Sequence, residues 1–151
     1  MDNISLIPIN KKDEKHIEDL YHLLRKRKHN ISNLSLPTFN EHRDFVLNHP
    51  YRFWYLVKKS HSLLGSVYLN YENVIGLNLF SSEKNVFTKT IKLITKLHDP
   101  LAPIKSVRSK NFIININPNN ETLINALKSI NFIHIQNTYL LEVNQSRIEN
   151  F

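Results

Sequence analysis

The sequence predicts an α/β (α+β) fold: a single mixed, mostly antiparallel central sheet of about seven strands flanked by about four helices. Three observations carry that prediction. Between Arg52 and Phe80, short runs rich in β-branched, aromatic and aliphatic residues are separated by turns of a few residues, the pattern of an antiparallel meander. Other stretches carry apolar residues at helical spacing. Finally, Phe112 to Ile116 is nearly continuous in apolar residues, as expected of a central strand covered on both faces.

Taken in order, Ile4 to Ile9 reads as a first strand. Asp13 then caps a helix whose stripe is Ile17, Leu20, Leu23 and Leu24. After the polar stretch from Asn30 to Ser35, Thr38 and Glu41 have the spacing of a capping box, opening a second helix with Phe39, His42 and Val46 on one face. Pro50 closes it. The meander follows as Arg52 to Lys58, Leu63 to Tyr71 and Val74 to Phe80, with turns at Ser60-His61-Ser62 and Glu72-Asn73. Phe87, Ile91 and Ile94 define a third helix from about Glu83, which Asp99-Pro100 stops. Beyond a proline-containing connector come the strand Phe112 to Ile116, a break at Pro118, and a helix capped by Asn119 or Asn120 that carries Leu123, Ile124, Leu127 and Ile130. Phe132 to Val143 closes the chain as strand material, giving the order β-α-α-β-β-β-α-β-α-β-β.

Size and composition narrow the possibilities further. With 151 residues, 41% hydrophobic and 22% charged, residues 1–151 are expected to form one domain. There is no cysteine, which excludes disulfides, thiolate zinc sites and a cysteine nucleophile and suits a reducing cytoplasm. His16 and His22 are too far apart in sequence to share one helix face, and no HExxH exists, so no metal is expected. Neither a signal peptide nor a membrane-length apolar run is evident. The net charge of +7 favours anionic partners, among them nucleic acid, acidic lipid and a phosphorylated small ligand. The densest basic run, Arg25-Lys26-Arg27-Lys28-His29, also reads as a solvated helix end.

The run Ile114-Asn115-Ile116-Asn117-Pro118-Asn119-Asn120, followed by a helix and Asn131-Phe132, is similar to a pattern of GNAT-type acyl-CoA N-acyltransferases: strand, Asn-containing turn, helix, Gly-Phe. A second stretch, His49-Pro50-Tyr51 with Trp54-Tyr55 and then Gly65-Ser66-Val67-Tyr68, resembles the lead into the meander of small acetyltransferases, some of which act on sugar amines. The order of elements over nearly the whole chain fits the same family. This resemblance implies transfer of an acetyl group from acetyl-CoA, as co-substrate, to a primary amine of a small molecule, an amino-sugar nucleotide included. It implies acyl-CoA and a small amine as partners; separately, an edge strand such as Tyr139 to Val143 would allow two copies to pair through the final strands.

The resemblance also places the site. The coenzyme pyrophosphate is expected at the junction of strand and helix formed by Leu79, Phe80, Lys84, Asn85, Val86, Phe87 and Thr88, with Asn117 and Asn120 on the neighbouring turn. Its pantetheine arm is expected between the strand ending at Phe80 and the one at Phe112 to Ile116, where Gly76 fits a bulge or a close approach. Asn85 and Phe87 stand where the family keeps small residues, so the Phe87 ring must turn into the core to leave the phosphates room. The family's usual acid and base have no counterpart, since Val74 to Phe80 holds no carboxylate and Leu127 occupies the tyrosine position.

Among the remaining titratable groups, His49 is the candidate catalytic base, its alternative role being a cation at a helix end. His42, Tyr51, Trp54 and Tyr68 are the candidate substrate-binding residues, with a hydrogen-bonded core position the alternative for His42. Two other functions remain open: a catalytically inactive binding or regulatory module, favoured by the missing loop glycines, acid and tyrosine, and a nucleic-acid-binding protein, which rests on charge and aromatics alone.

Overall fold

The computed structural model describes residues 3–27 and 35–143. Its elements run β1 (Ile4–Pro8), α1 (Glu14–Lys26), α2 (Phe39–Leu47), β2 (Phe53–Lys59), β3 (Ser62–Leu69), β4 (Val74–Leu79), α3 (Lys84–Leu97), β5 (Ile113–Ile114) and α4 (Glu121–Ser129). The strands form one sheet in the order β1-β2-β3-β4-β5, antiparallel except for the parallel pair β4 and β5.

Period-two alternation divides the sheet's side chains between two helical layers. On one face Leu56 and Trp54 meet Ile17, Leu20 and Leu23 of α1 and Val46 of α2. On the other, Tyr55, Val57, Val67, Leu69 and Ile75 meet Ile94 of α3, while Phe87 and Ile91 of α3 interlock with Leu123, Ala126 and Leu127 of α4. The capping box of α2 forms in full, with Thr38 N–H donating to Glu41 Oε2 at 3.1 Å and Glu41 N–H to Thr38 Oγ1 at 3.2 Å.

Left-handed backbone closes the meander turns at Ser60 (φ 56°) and Asn73 (φ 64°). Asn73 is fully buried, and its side chain fastens the connector after α3. Its Nδ2 donates to the carbonyls of Leu101 (2.9 Å) and Ser109 (2.7 Å), and its Oδ1 accepts from Leu101 N–H (2.7 Å). Gly65 is required by close approach, because a Cβ there would lie 2.1 Å from the Asn78 carbonyl oxygen.

The expected count of seven strands is corrected to five. Only Ile113 and Ile114 pair with β4, and the two closing strands expected within Phe132 to Val143 do not form among the described residues. A closing strand needs an edge of comparable length to pair with, and a two-residue β5 offers none. Alternation along the segment is therefore left without a sheet, and Ile133, Ile135, Tyr139 and Leu140 are exposed. Lys28, His29 and the stretch Asn30 to Leu34 lie outside the described residues.

Candidate functional site

Strands β4 and β5 begin side by side and then part. Val74 pairs with Ile113 and Ile75 with Ile114, and there the ladder ends, although β4 continues through Gly76, Leu77 and Asn78 to Leu79. The chain after Ile114 leaves the sheet for the Asn-Pro turn. Asn117 Oδ1 accepts from Asn119 N–H at 2.9 Å, and Asn120 Oδ1 caps α4 by accepting from Leu123 N–H at 3.3 Å. Beyond Ile75, β4 has no ladder partner on its β5 side among the described residues.

At the end of β4 the chain turns into α3. Phe80 N–H donates to Leu64 O at 2.8 Å, and Ser81 Oγ accepts from Glu83 N–H at 3.0 Å. Asp13, Thr38 and Asn120 each cap their helix through a side chain, but Glu83 at the α3 N-cap makes no such bond. Glu83 N–H is taken by Ser81 Oγ and Val86 N–H by Glu83 O at 3.1 Å, which leaves the N–H groups of Lys84 and Asn85 without an intrahelical acceptor at the positive end of the helix dipole. Lys84 and Asn85 are exposed there, and Thr88 Oγ1 donates to Asn85 O at 3.1 Å. Val86 and Phe87 point the other way, into the core, at 4% and 3% exposure. A bulky residue at position 87 is thus compatible with open space at the helix end.

The opposite face of the sheet carries an aromatic cluster. Trp54 on β2, Tyr68 on β3 and Gly76 on β4 are successive cross-strand partners, so they line up across the sheet on one face. Tyr68 leans over Gly76, where a Cβ would meet the ring carbons Cε2 and Cζ at 2.0 Å and the hydroxyl at 2.5 Å. Glycine at this position is what lets the phenol lie across β4. Tyr51 stacks on Tyr68 with centroids 3.8 Å apart, and Trp54 stands edge-on to Tyr51 at 5.0 Å and to His49 at 5.1 Å. Trp54 Nε1 is buried without an acceptor among the described residues. Phe45 completes the cluster, 6.0 Å from Trp54.

Hydrogen bonding fixes the state of the histidines. Tyr51 N–H donates to His49 Nδ1 at 3.1 Å, so the neutral ring carries its proton on Nε2. The end of α2 is closed by Asn48, whose N–H bonds to Asp44 O and Phe45 O. Burial, helped by the charge of Lys11, pushes the His49 pKa down, which keeps the ring neutral near pH 7. Burial raises the pKa of Tyr51 and Tyr68, so both retain their hydroxyl protons. His42 sits apart from this cluster, 2% exposed, with Nε2 donating to Ile17 O at 3.0 Å. It has no surface to offer a substrate.

Of the residues singled out from sequence, the fold brings His49, Tyr51, Trp54 and Tyr68 into one cluster. Leu79 to Thr88 gather at the β4–α3 junction, with Asn117 and Asn120 on the turn before α4. Phe45 escaped notice although its spacing of four from His49 puts both on one side of α2 and its exit. Asn131 departs from the family's glycine by type, yet it adopts φ 69° after α4, and Phe132 N–H bonds back to Leu127 O at 3.0 Å. Asparagine thus performs the left-handed turn that glycine would. Among the described residues no three His, Cys, Asp or Glu side chains gather as a metal site, and no helix is long and apolar enough to cross a membrane.

The architecture is α+β, with a mixed sheet whose one parallel pair parts beside a helix N-terminus that lacks a side-chain cap. The crystal structure of a possible acetyltransferase from Clostridium difficile 630 shares this fold, with a TM-score of 0.52 over 94% of this chain and 99% of that one, at 10% identity. No family profile and no curated protein matches the sequence.

Proposed function

We propose that the chain is an N-acetyltransferase that binds acetyl-CoA between β4 and β5 and transfers its acetyl group to a primary amine held on the Tyr51–Tyr68–Trp54 face. The observation that carries this reading is the parting of the parallel strands after Ile75 beside an α3 N-terminus without a side-chain cap. The amide-bearing pantetheine arm suits an open strand edge, which can exchange backbone hydrogen bonds with it. Pyrophosphate suits the N–H groups of Lys84 and Asn85 at the start of α3, with Lys84 adding charge. Leu79 and Phe80 lead into that cradle, and Asn117 and Asn120, on the turn before α4, are its proposed further contacts. On the other face, flat aromatic rings suit a sugar or nucleobase bearing the amine. His49 offers an Nε2–H donor to the acceptor, its Nδ1 being already engaged.

A second reading, a binding module without catalysis, is favoured by one observation. Gly76 and Asn78, the β4 residues on the aromatic face, carry no group able to accept a proton, and Leu127 is packed in the α3–α4 core. Hydrogen exchange with and without acetyl-CoA tests the shared part of both readings: amides of residues 76–79 and 84–88 are expected to slow. Unchanged exchange there, or protection confined to other elements, refutes the placement. Release of free thiol on adding amines then separates the enzyme from the binding module. A chain without cysteine gives that assay no background.

A further inference from the structure

Breaking a thioester leaves negative charge on sulfur, and in a gap between two strands that charge needs a hydrogen-bond donor close by. The surroundings of the open β4 edge offer few. Gly76 has no side chain, Asn78 carries its amide two residues further along β4, and the α3–α4 side is lined by Phe87, Leu123, Ala126 and Leu127, all apolar. A side-chain O–H reaches the strand where the ladder with β5 ends: Tyr68 extends from β3 so that its phenol tip lies directly over Gly76, the residue after the last paired one. Tyr51 stacked upon it restrains the ring.

Resting on the acetyl-CoA reading above, we infer that the Tyr68 hydroxyl is the catalytic donor that holds the departing coenzyme thiolate. The amine nitrogen forms the C–N bond, the C–S bond breaks with its electron pair passing to sulfur, and the nitrogen sheds one proton. Tyr68 donates a hydrogen bond to that sulfur as charge builds. A phenol is a weaker acid than a thiol, about 10 against about 8.5, so Tyr68 keeps its own proton. The proton that finally neutralises the thiolate is the one lost by nitrogen, carried through solvent. Charged and titratable groups acting on this hydroxyl are the Tyr51 phenol and the Arg27 guanidinium at the end of α1.

The test needs no knowledge of the acceptor amine. In the complex with free CoA, the ultraviolet absorbance of the thiolate reports the pH at which the bound thiol ionises, and the protein contributes no thiol of its own. Tyr68→Phe keeps the ring over Gly76 and removes only the donor. It is expected to raise the midpoint of the bound thiol by about one pH unit, a tenfold change in proton affinity. Gly76→Ala, which retains the hydroxyl but drives it off β4, is expected to raise the midpoint as Tyr68→Phe does. Equal midpoints in wild type and Tyr68→Phe, with calorimetry showing that both bind CoA, overturn the inference and leave the acetyl-CoA reading intact. Failure of the wild type to bind CoA at all overturns both.

Discussion

Replacing Phe87 separates two accounts of the β4–α3 junction, one in which the ring crowds a phosphate site and one in which it belongs to the core. Phe87 is 3% exposed and touches the cluster of Ile91, Leu123, Ala126 and Leu127 that joins α3 to α4. Truncating a buried phenylalanine loses its transfer free energy and leaves a cavity that neighbours only partly refill, so Phe87→Ala should cost about 3–5 kcal/mol. For a domain of this size that corresponds to a fall in Tm of roughly 6–20 °C. Phe87→Gly should cost about 1 kcal/mol more, because glycine weakens a helix interior. Urea unfolding should therefore show a lower midpoint with an unchanged slope. Measured at a temperature where the variant is folded, acetyl-CoA affinity should be unchanged. An affinity gain with stability preserved would refute the reasoning, since it would place the ring over the phosphates instead of in the core.

Asn73→Ala removes three side-chain hydrogen bonds and forces alanine into left-handed backbone, so a loss of about 3–4 kcal/mol in urea unfolding is expected, with exchange quickening first in residues 98–112. Asn131→Gly should leave stability within about 0.5 kcal/mol of wild type, whereas Asn131→Val should cost about 1–2 kcal/mol at its φ of 69°. Burial lowers the pKa of His42, His49 and His98, so below the ordinary histidine value of about 6.5 the unfolded chain takes up protons that the folded chain refuses. The urea midpoint should accordingly fall as the pH drops through that value, and a midpoint that is level or rises there would contradict the assignment of neutral buried rings.

The order of elements through α4 was legible because it rests on local signals that the tertiary structure reinforces. Thr38 and Glu41 announce a capping box that forms, and Asp13 and Asn120 cap the helices they precede. What local pattern could not convey was pairing. Phe132 to Val143 alternates as well as any strand in the chain, yet a strand needs an edge, and whether β5 would supply one depends on how soon the backbone leaves β4 after Ile114. The site divides in the same way. Tyr51, Trp54 and Tyr68 were readable as aromatics on or before strands, but the alignment of Trp54, Tyr68 and Gly76 across three strands depends on register, which no single strand encodes. Likewise Phe87 looked like an obstruction by its type, and only its position on the buried side of α3 removes the conflict.

Acetyl-CoA binding underlies the functional account, and titration calorimetry of acetyl-CoA into the purified protein tests it most directly. The account predicts saturable binding at one site per chain that weakens as salt rises, because the pyrophosphate meets helix N–H groups and Lys84 at an exposed helix end. Absence of heat and saturation at millimolar acetyl-CoA would contradict it.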